Sequence, residues 1–178
     1  MAAGAWCCGA SGIVWPVNPR EYVDAVADRL RGDGAAVSTE VLPGGEALVG
    51  YRSQFRLRWM ATKLNLFTVV RAVPEVTVSA LESFSNEALD QGVKLKGRFR
   101  GLQTGVAVIP ALVGEMAEPA AADYARTVLV RRWSAFAWPA VVDLHRDVVS
   151  THEGSVTIGG IYASWMREQT AVALPLLR

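Results

Sequence analysis

The chain contains two histidines, His145 and His152, and both lie close to carboxylates. Asp143 and His145 are two residues apart, so their side chains share one face if the segment is a strand. A hairpin that returns His152 toward them would assemble a metal site, or a base with its orienting carboxylate. The alternative is a polar turn between two apolar strands, which does no chemistry. We predict neither a catalytic nor a metal role for these residues, and a hydrolase-like enzyme centred on them is the alternative hypothesis.

Positively charged side chains alternate with mostly apolar ones in residues 51–59. The even positions of this segment are Arg52, Gln54, Arg56 and Arg58. Strand side chains point alternately to the two faces, so an extended conformation places three guanidinium groups on one face over roughly 20 Å. Because the planar guanidinium fork pairs bidentately with oxyanions, the pattern is typical of an anion-binding strand.

The same alternation recurs in residues 93–100, where the cations are Lys94, Lys96, Arg98 and Arg100. Residues 51–100 contain nine Lys and Arg against four Asp and Glu, a local charge of +5; residues 1–50 have three against six, and residues 101–178 six against seven. We predict that these cations form a surface for nucleic-acid phosphates, a phosphorylated ligand or an acidic protein partner, although the net charge of +1 gives no overall attraction for nucleic acid. The alternative is a solvent-facing basic strand, which also discourages edge-to-edge aggregation.

Four helices are predicted around these segments. Asn18, Pro19 and Glu21 match the N-cap, first position and capping-box partner of the first helix. The predicted helices run from Pro19 to Gly32, from the capping-box residue Ser79 to Gly92, from Pro119 to about Val128, and onward from Gly159-Gly160.

Strands are predicted between the helices from β-branched and apolar runs bounded by turn residues. Pro43-Gly44-Gly45 indicates a hairpin, and Pro139 bends a later strand. The predicted strands are 36–42, 47–59, 64–73, 105–113, 132–144, 148–151 and 155–158. The resulting order, roughly α-βββ-α-β-α-βββ-α, predicts an α+β fold: a single-domain layered sheet with packed helices.

The first half of this order, α-βββ-α-β, is similar to the core of restriction-endonuclease-like folds. That resemblance implies a Mg²⁺ site built from an Asp on one core strand and a Glu-x-Lys pair on the next. Here the corresponding strands carry Arg52, Arg56 and Arg58, and Glu46 lies only at the hairpin. Because the metal-binding carboxylates are missing, we do not expect nuclease activity.

Other catalytic motifs are also missing from the sequence. It contains no Gly-x-Ser-x-Gly elbow, no His-Glu-x-x-His pair and no glycine loop ending in Gly-Lys-Ser/Thr. We therefore expect no cofactor.

The composition is unusually apolar, with 51% hydrophobic and 20% charged residues. Soluble domains average about 25% charged residues, so either the core is large or another subunit covers part of the surface. We predict a homo-oligomer or a protein partner on this ground. The longest apolar stretches, 106–113 and 135–142, are shorter than the ~20 residues of a membrane span, and none is expected.

The two cysteines, Cys7 and Cys8, are adjacent and cannot cross-link the fold, which predicts a reducing, cytoplasmic environment. Acylation or metal binding at this pair is the alternative. Residues 1–16 are predicted to be a loosely ordered leader and residues 17–178 a single α+β domain. The sequence as a whole predicts a non-catalytic binding or assembly module with a cationic strand surface.

Overall fold

The computed structural model describes residues 18–56, 62–96, 104–154 and 160–176. The first element, α1 (Pro19–Gly32), begins as its sequence predicts. The Asn18 side chain accepts hydrogen bonds from the backbone N–H groups of Arg20 and Glu21, and Glu21 accepts one from the Asn18 N–H in return. This reciprocal capping box satisfies N–H groups that the first turn of a helix leaves without partners.

Three antiparallel strands follow α1: β1 (Ala36–Leu42), β2 (Gly45–Arg56) and β3 (Thr62–Ala72). The β1–β2 turn closes at Gly45, whose φ of +116° is a conformation that favours glycine. The meander therefore has the turn chemistry that its sequence indicates.

A helical crossover then changes the sheet from antiparallel to parallel. The helix α2 (Val78–Lys96) connects β3 to β5 (Thr104–Gly114), and these strands pair in parallel from Lys63↔Thr104 to Ala72↔Val113. Two short strands, β4 (Glu75–Val76) and β6 (Met116–Ala117), extend the same register as a separate parallel pair.

The remaining elements complete the far side of the sheet. They are α3 (Pro119–Thr127), β7 (Val130–Arg132), β8 (Ala135–Ala137), β9 (Ala140–Asp143), β10 (Val148–Thr151) and α4 (Gly160–Ala173). β8 and β9 both pair in parallel with β5 in one continuous register, so they are a single strand interrupted at Trp138-Pro139. β7 and β10 pair antiparallel with its two halves.

Two hydrophobic cores lie on opposite faces of the sheet. One packs α1 and α4 against it around Tyr22, Trp138 and Trp165, and the other packs α2 and α3 around Phe67 and Phe84. The central strand β5 is buried along nearly its whole length. Burial on both faces is characteristic of parallel strands between helical layers, and it accounts for the apolar composition.

The predicted α+β class and the order of the main elements are confirmed. The sequence did not indicate β4, β6 or β7, which are only two or three residues long. The predicted strand 155–158 lies outside the described residues, as does the predicted leader.

The predicted start and end of α2 were wrong. The helix begins at Val78, where the Thr77 hydroxyl accepts a hydrogen bond from the Ala80 N–H, so Thr77 rather than Ser79 caps it. Gly92 does not end the helix, which continues to Lys96. A Cβ at Gly92 would lie only 3.0 Å from Val108 Cγ2 and 3.2 Å from Phe67 Cδ2, so this glycine allows the helix to lie close against the sheet.

Within the described residues, no helix is both long and apolar enough to cross a bilayer.

Candidate anion-binding end of the sheet

The strand pairing brings the described ends of the two basic segments to the same end of the sheet. Arg56, the last residue of β2, pairs with Thr62, the first residue of β3. Lys63 on β3 pairs with Thr104, the first residue of β5, and residues 97–103 connect α2 to that strand. Residues 57–61 and 97–103 are therefore each followed by a strand, and the two strands begin side by side.

The β7–β8 turn lies at this same end. Ser134 Oγ donates a 3.0 Å hydrogen bond to the Thr104 carbonyl, and the Val106 N–H donates to the Ser134 carbonyl. Phe55, Lys63, Thr104 and Ser134 thus follow one another across adjacent strands, through the register pairs Phe55↔Lys63 and Lys63↔Thr104. With a strand spacing of about 4.8 Å, this row is roughly 14 Å long.

Several cations are exposed around this row, on β3, on the last turns of α2, and on β7. They are Lys63, Lys94, Arg131 and Arg132. Lys63 and Lys94 make no hydrogen bond or ion pair within the described part of the chain, whereas Arg132 donates to Asn86 Oδ1 at 2.8 Å. We call these four residues, with the backbone positions of Arg56 and Lys96, the cationic end.

Carboxylates gather at the opposite end of the sheet, beyond the carboxyl ends of β3, β5 and β9. They are Glu75, Glu115, Glu118, Asp143 and Asp147. The nearby guanidinium groups of Arg71 and Arg146 are paired with the carboxylates of Glu87 and Asp143. The described residues therefore show a charge asymmetry along the strand direction, positive where the parallel strands begin and negative where they end.

Arg52 differs from the other predicted site residues because its charge is already paired. Its guanidinium forms an ion pair with Asp33, just beyond α1, and a hydrogen bond to Gln169 of α4. Both partners in the ion pair are about one-third exposed. Arg52 thus holds α1 and α4 against β2, and this is a structural contact on the opposite side of the sheet from α2.

The described part of the predicted second cationic strand, residues 93–96, is helical instead. Lys94 and Lys96 lie in the last turns of α2, so the alternation in sequence does not place them on one strand face. The helix extends past Gly92 because that glycine packs against β3 and β5, and the sequence pattern alone did not reveal this packing. Arg58, Arg98 and Arg100 lie outside the described residues, and Arg56 is described only as the last residue of β2.

A groove of about 580 Å³ lies between the start of α1 and the carboxyl end of β3, and Arg20 and Arg71 are among the residues that line it. Arg71 is bonded to Glu87 and to the Gly45 and Glu46 carbonyls, and its guanidinium lies 4.5 Å from the Phe84 ring centroid. These contacts fasten the β1–β2 turn to α2, which leaves no unpaired charge for a ligand at this arginine.

Asp143, His145 and His152 are not brought together, contrary to the geometry that the enzyme hypothesis requires. Asp143 pairs with Val148 at the turn of the β9–β10 hairpin, whereas His152 follows Thr151 at its other end, roughly 13 Å along the strands. Asp143 is buried and accepts hydrogen bonds from the backbone N–H groups of Ala117 and Arg146. Its carboxylate anchors β6 and the hairpin turn, while the His145 side chain is exposed.

His152 is buried beside the interruption in the inner strand, with its ring edge-on to Trp138 at 5.0 Å between centroids. Its Nδ1 has no hydrogen-bond partner among the described residues. Burial and, to a smaller extent, the charges of Arg167 and Arg131 lower the pKa of His152. Hydrogen bonding to the Arg126 backbone raises the pKa, but by less than these effects lower it. A neutral, enclosed imidazole of this kind is a core side chain, and no group of three metal-ligating residues is found among the described residues.

The structure adds residues to the site that the sequence reasoning missed. Lys63 lies outside both alternating segments, and Arg131-Arg132-Trp133 carried no strand alternation that would draw attention to it. The sequence predicts one strand over 132–144, whereas the structure has a two-residue turn at Trp133-Ser134 between β7 and β8, with Ser134 at a φ of +50°.

The nuclease core that the strand order resembles also lacks its metal ligands in the structure. β3 has no carboxylate, and the only carboxylate on β2, Glu46, is next to the turn. No family model, no curated protein and no solved structure matches the chain.

Proposed function

We propose that the chain is a non-catalytic binding module that holds an anionic ligand or acidic partner at its cationic end. The observation that carries this proposal is the pairing of Lys63 with Thr104. This pairing places side by side the two strands that follow the basic segments in the sequence. Arg58, Arg98 and Arg100, which belong to those segments, contribute further positive charge in this proposal.

The chemistry of the exposed cations supports an anionic partner. Lys63 and Lys94 make no ion pair within the described chain, so an anion that binds them displaces no carboxylate of the described residues. The carboxylates at the other end of the sheet repel an anion and so favour one orientation of approach. The carboxylate Asp143 is occupied in structural hydrogen bonds, which favours binding over catalysis.

Self-association is a second, independent expectation of the module hypothesis. This expectation comes from the apolar composition, and the two cores account for much of that composition. Two cationic ends repel each other, so a dimer that uses another surface is the form we expect. Light scattering after size-exclusion chromatography measures this directly.

The anion proposal is tested by the affinity of the full-length protein for a heparin oligosaccharide over a range of NaCl concentrations. We expect Lys63→Glu to weaken binding about tenfold and to flatten the salt dependence, because fewer cations are then neutralised by the ligand. Lys63 is exposed and makes no ion pair with a described residue, so the variant should fold normally, as circular dichroism would verify.

The matched control is Arg20→Glu, which changes the charge by the same amount at the first turn of α1. A carboxylate is favourable at a helix N-terminus, so this variant should also fold. We expect less than a twofold change in its heparin affinity. Equal effects of the two variants, or no salt-dependent binding by the wild-type protein, would contradict the proposed function.

A further inference from the structure

Large apolar side chains are exposed among the cations of the cationic end. Trp133 is 79% exposed in the β7–β8 turn, Phe55 is 56% exposed at the end of β2, and Leu95 is 46% exposed beside Lys94 on α2. Phe55 and the Trp133 turn lie at the two ends of the row that contains Lys63 and Thr104. Apolar side chains this exposed are costly in water, so their grouping with cations indicates a surface that another phase or molecule covers.

This combination of chemistry matches the surface of an anionic bilayer. Tryptophan and phenylalanine partition into the headgroup region of a membrane, and lysine and arginine are attracted by its negative surface potential. Leu95 adds an aliphatic side chain, which is stabilised when it enters an acyl environment but offers no ring for a base to stack on. Its presence favours lipid over single-stranded nucleic acid, which binds through aromatic stacking and backbone charge.

The charge asymmetry of the molecule would set its orientation on such a surface. The cations lie where β3 and β5 begin, whereas Glu75 and Glu115 are exposed where these strands end. An anionic leaflet therefore attracts one end of the sheet and repels the other. This orients the strands with their cationic end toward the membrane and their acidic end away from it.

We propose that the cationic end docks peripherally on an anionic lipid surface, with Trp133, Phe55 and Leu95 entering the headgroup region and Lys63 and Lys94 contacting lipid phosphates. This inference rests on the proposed anion-binding function and names its partner. Association of this kind is reversible and salt-sensitive, since it combines a small apolar contact with electrostatic attraction.

The test is co-sedimentation of the full-length protein with lipid vesicles. One preparation contains phosphatidylcholine alone, and in the other about a third of the lipid is phosphatidylserine, which supplies the negative surface potential. We expect binding to the anionic vesicles only. Trp133→Ser should lower the partition coefficient about tenfold, because it removes the most exposed apolar side chain of the three at the cationic end. Lys63→Glu should lower it by a similar factor.

Val41→Ser is the matched control for Trp133→Ser, because Val41 is an 80% exposed apolar residue beside the β1–β2 turn, away from the cationic end. It should bind vesicles as the wild type does. Trp133→Ser should also retain nearly full affinity for heparin, which offers charge without an apolar phase.

The outcomes separate this inference from the proposed function. Heparin binding that depends on Lys63, without binding to anionic vesicles, would overturn the membrane inference and leave the proposed function intact. Equal vesicle binding by Trp133→Ser and Val41→Ser would also overturn it. Tighter, Trp133-dependent binding to a single-stranded oligonucleotide would identify nucleic acid as the partner instead. Failure of heparin and vesicle binding together would overturn both proposals.

Discussion

Lys63 and Thr104 are register partners at the start of two parallel strands, although an entire helical crossover separates them in the sequence. Their pairing follows from the fold, since a parallel connection through α2 must return the chain to the same end of the sheet. The described ends of both basic segments lie there, since Arg56 ends β2 and Lys94 and Lys96 lie in the last turns of α2.

Arg52 should act on stability rather than on anion binding. Its guanidinium is paired with Asp33 and Gln169, and the ion pair is about one-third exposed. We expect Arg52→Gln to lower the free energy of unfolding by about 1 kcal/mol, as partly exposed ion pairs do, while heparin affinity changes less than in Lys63→Gln. Urea unfolding and heparin titration of the two variants check this. A larger loss of affinity in Arg52→Gln would show that the Asp33 pair opens when the ligand binds.

Gly92 should resist substitution although it lies within a helix. Alanine normally stabilises a helix by about 1 kcal/mol over glycine, but here its Cβ would meet Val108 and Phe67 at 3.0 and 3.2 Å. We expect Gly92→Ala to lower the free energy of unfolding by about 1 kcal/mol, because overpacking exceeds the gain in helix propensity.

The control for this substitution is Gly32→Ala at the end of α1, where a Cβ would have open space. Its unfolding free energy should be unchanged or slightly higher. If Gly92→Ala instead raises the free energy of unfolding, α2 lies farther from the sheet than these 3.0 and 3.2 Å distances imply.

His152 should make the protein less stable in mild acid. Because burial lowers its pKa, the unfolded chain binds a proton more readily than the folded chain does. The stabilising contribution of the neutral ring is present above the unfolded pKa of about 6.5 and is lost as the pH falls from there through the lowered folded value. We expect the urea midpoint to fall between about pH 7.5 and about pH 5.5, and to fall less in His152→Phe.

His145→Asn serves as the comparison, because it removes the other histidine from an exposed position. This variant should show the same decrease in midpoint as the wild type. If His152→Phe also shows the full decrease, the acid sensitivity has another source.

Tyr22 should stabilise the packing of α1 against the C-terminal segment. Its hydroxyl donates a 2.9 Å hydrogen bond to the Pro175 carbonyl, and burial raises its pKa, so it remains a protonated donor. We expect Tyr22→Phe to lower the free energy of unfolding by about 1 kcal/mol, the typical loss for one such bond. Tyr124→Phe, whose hydroxyl makes no hydrogen bond within the described residues, should cost less than half as much in urea unfolding.

Much of the fold follows from local sequence chemistry. The Asn18–Glu21 capping box and the turn glycine Gly45 have local physical causes, and the structure contains both. The bend predicted at Pro139 appears as the interruption between β8 and β9. Short strands such as β4 and β6 could not be predicted, because two residues have no periodicity.

The site was harder to predict than the fold. Alternation in 93–100 resembles a strand, yet Lys94 and Lys96 are helical because Gly92 packs against the sheet, a tertiary contact that local patterns do not contain. The same limit applies to Lys63 and Trp133, whose importance comes from which strands are neighbours. Conversely, the proximity of Asp143, His145 and His152 in sequence did not become proximity in space, because a hairpin separates residues at its turn from those at its open end.

The most direct test of the central claim is an NMR titration of the isotopically labelled protein with a heparin oligosaccharide, followed through its backbone amide shifts. The cationic end predicts that the largest changes occur at Phe55, Lys63, Thr104 and Trp133, and that the amides of Glu75 and Glu115 stay unchanged. Changes concentrated at the acidic end, or spread evenly over the sheet, would contradict an anion-binding role for the end where β3 and β5 begin.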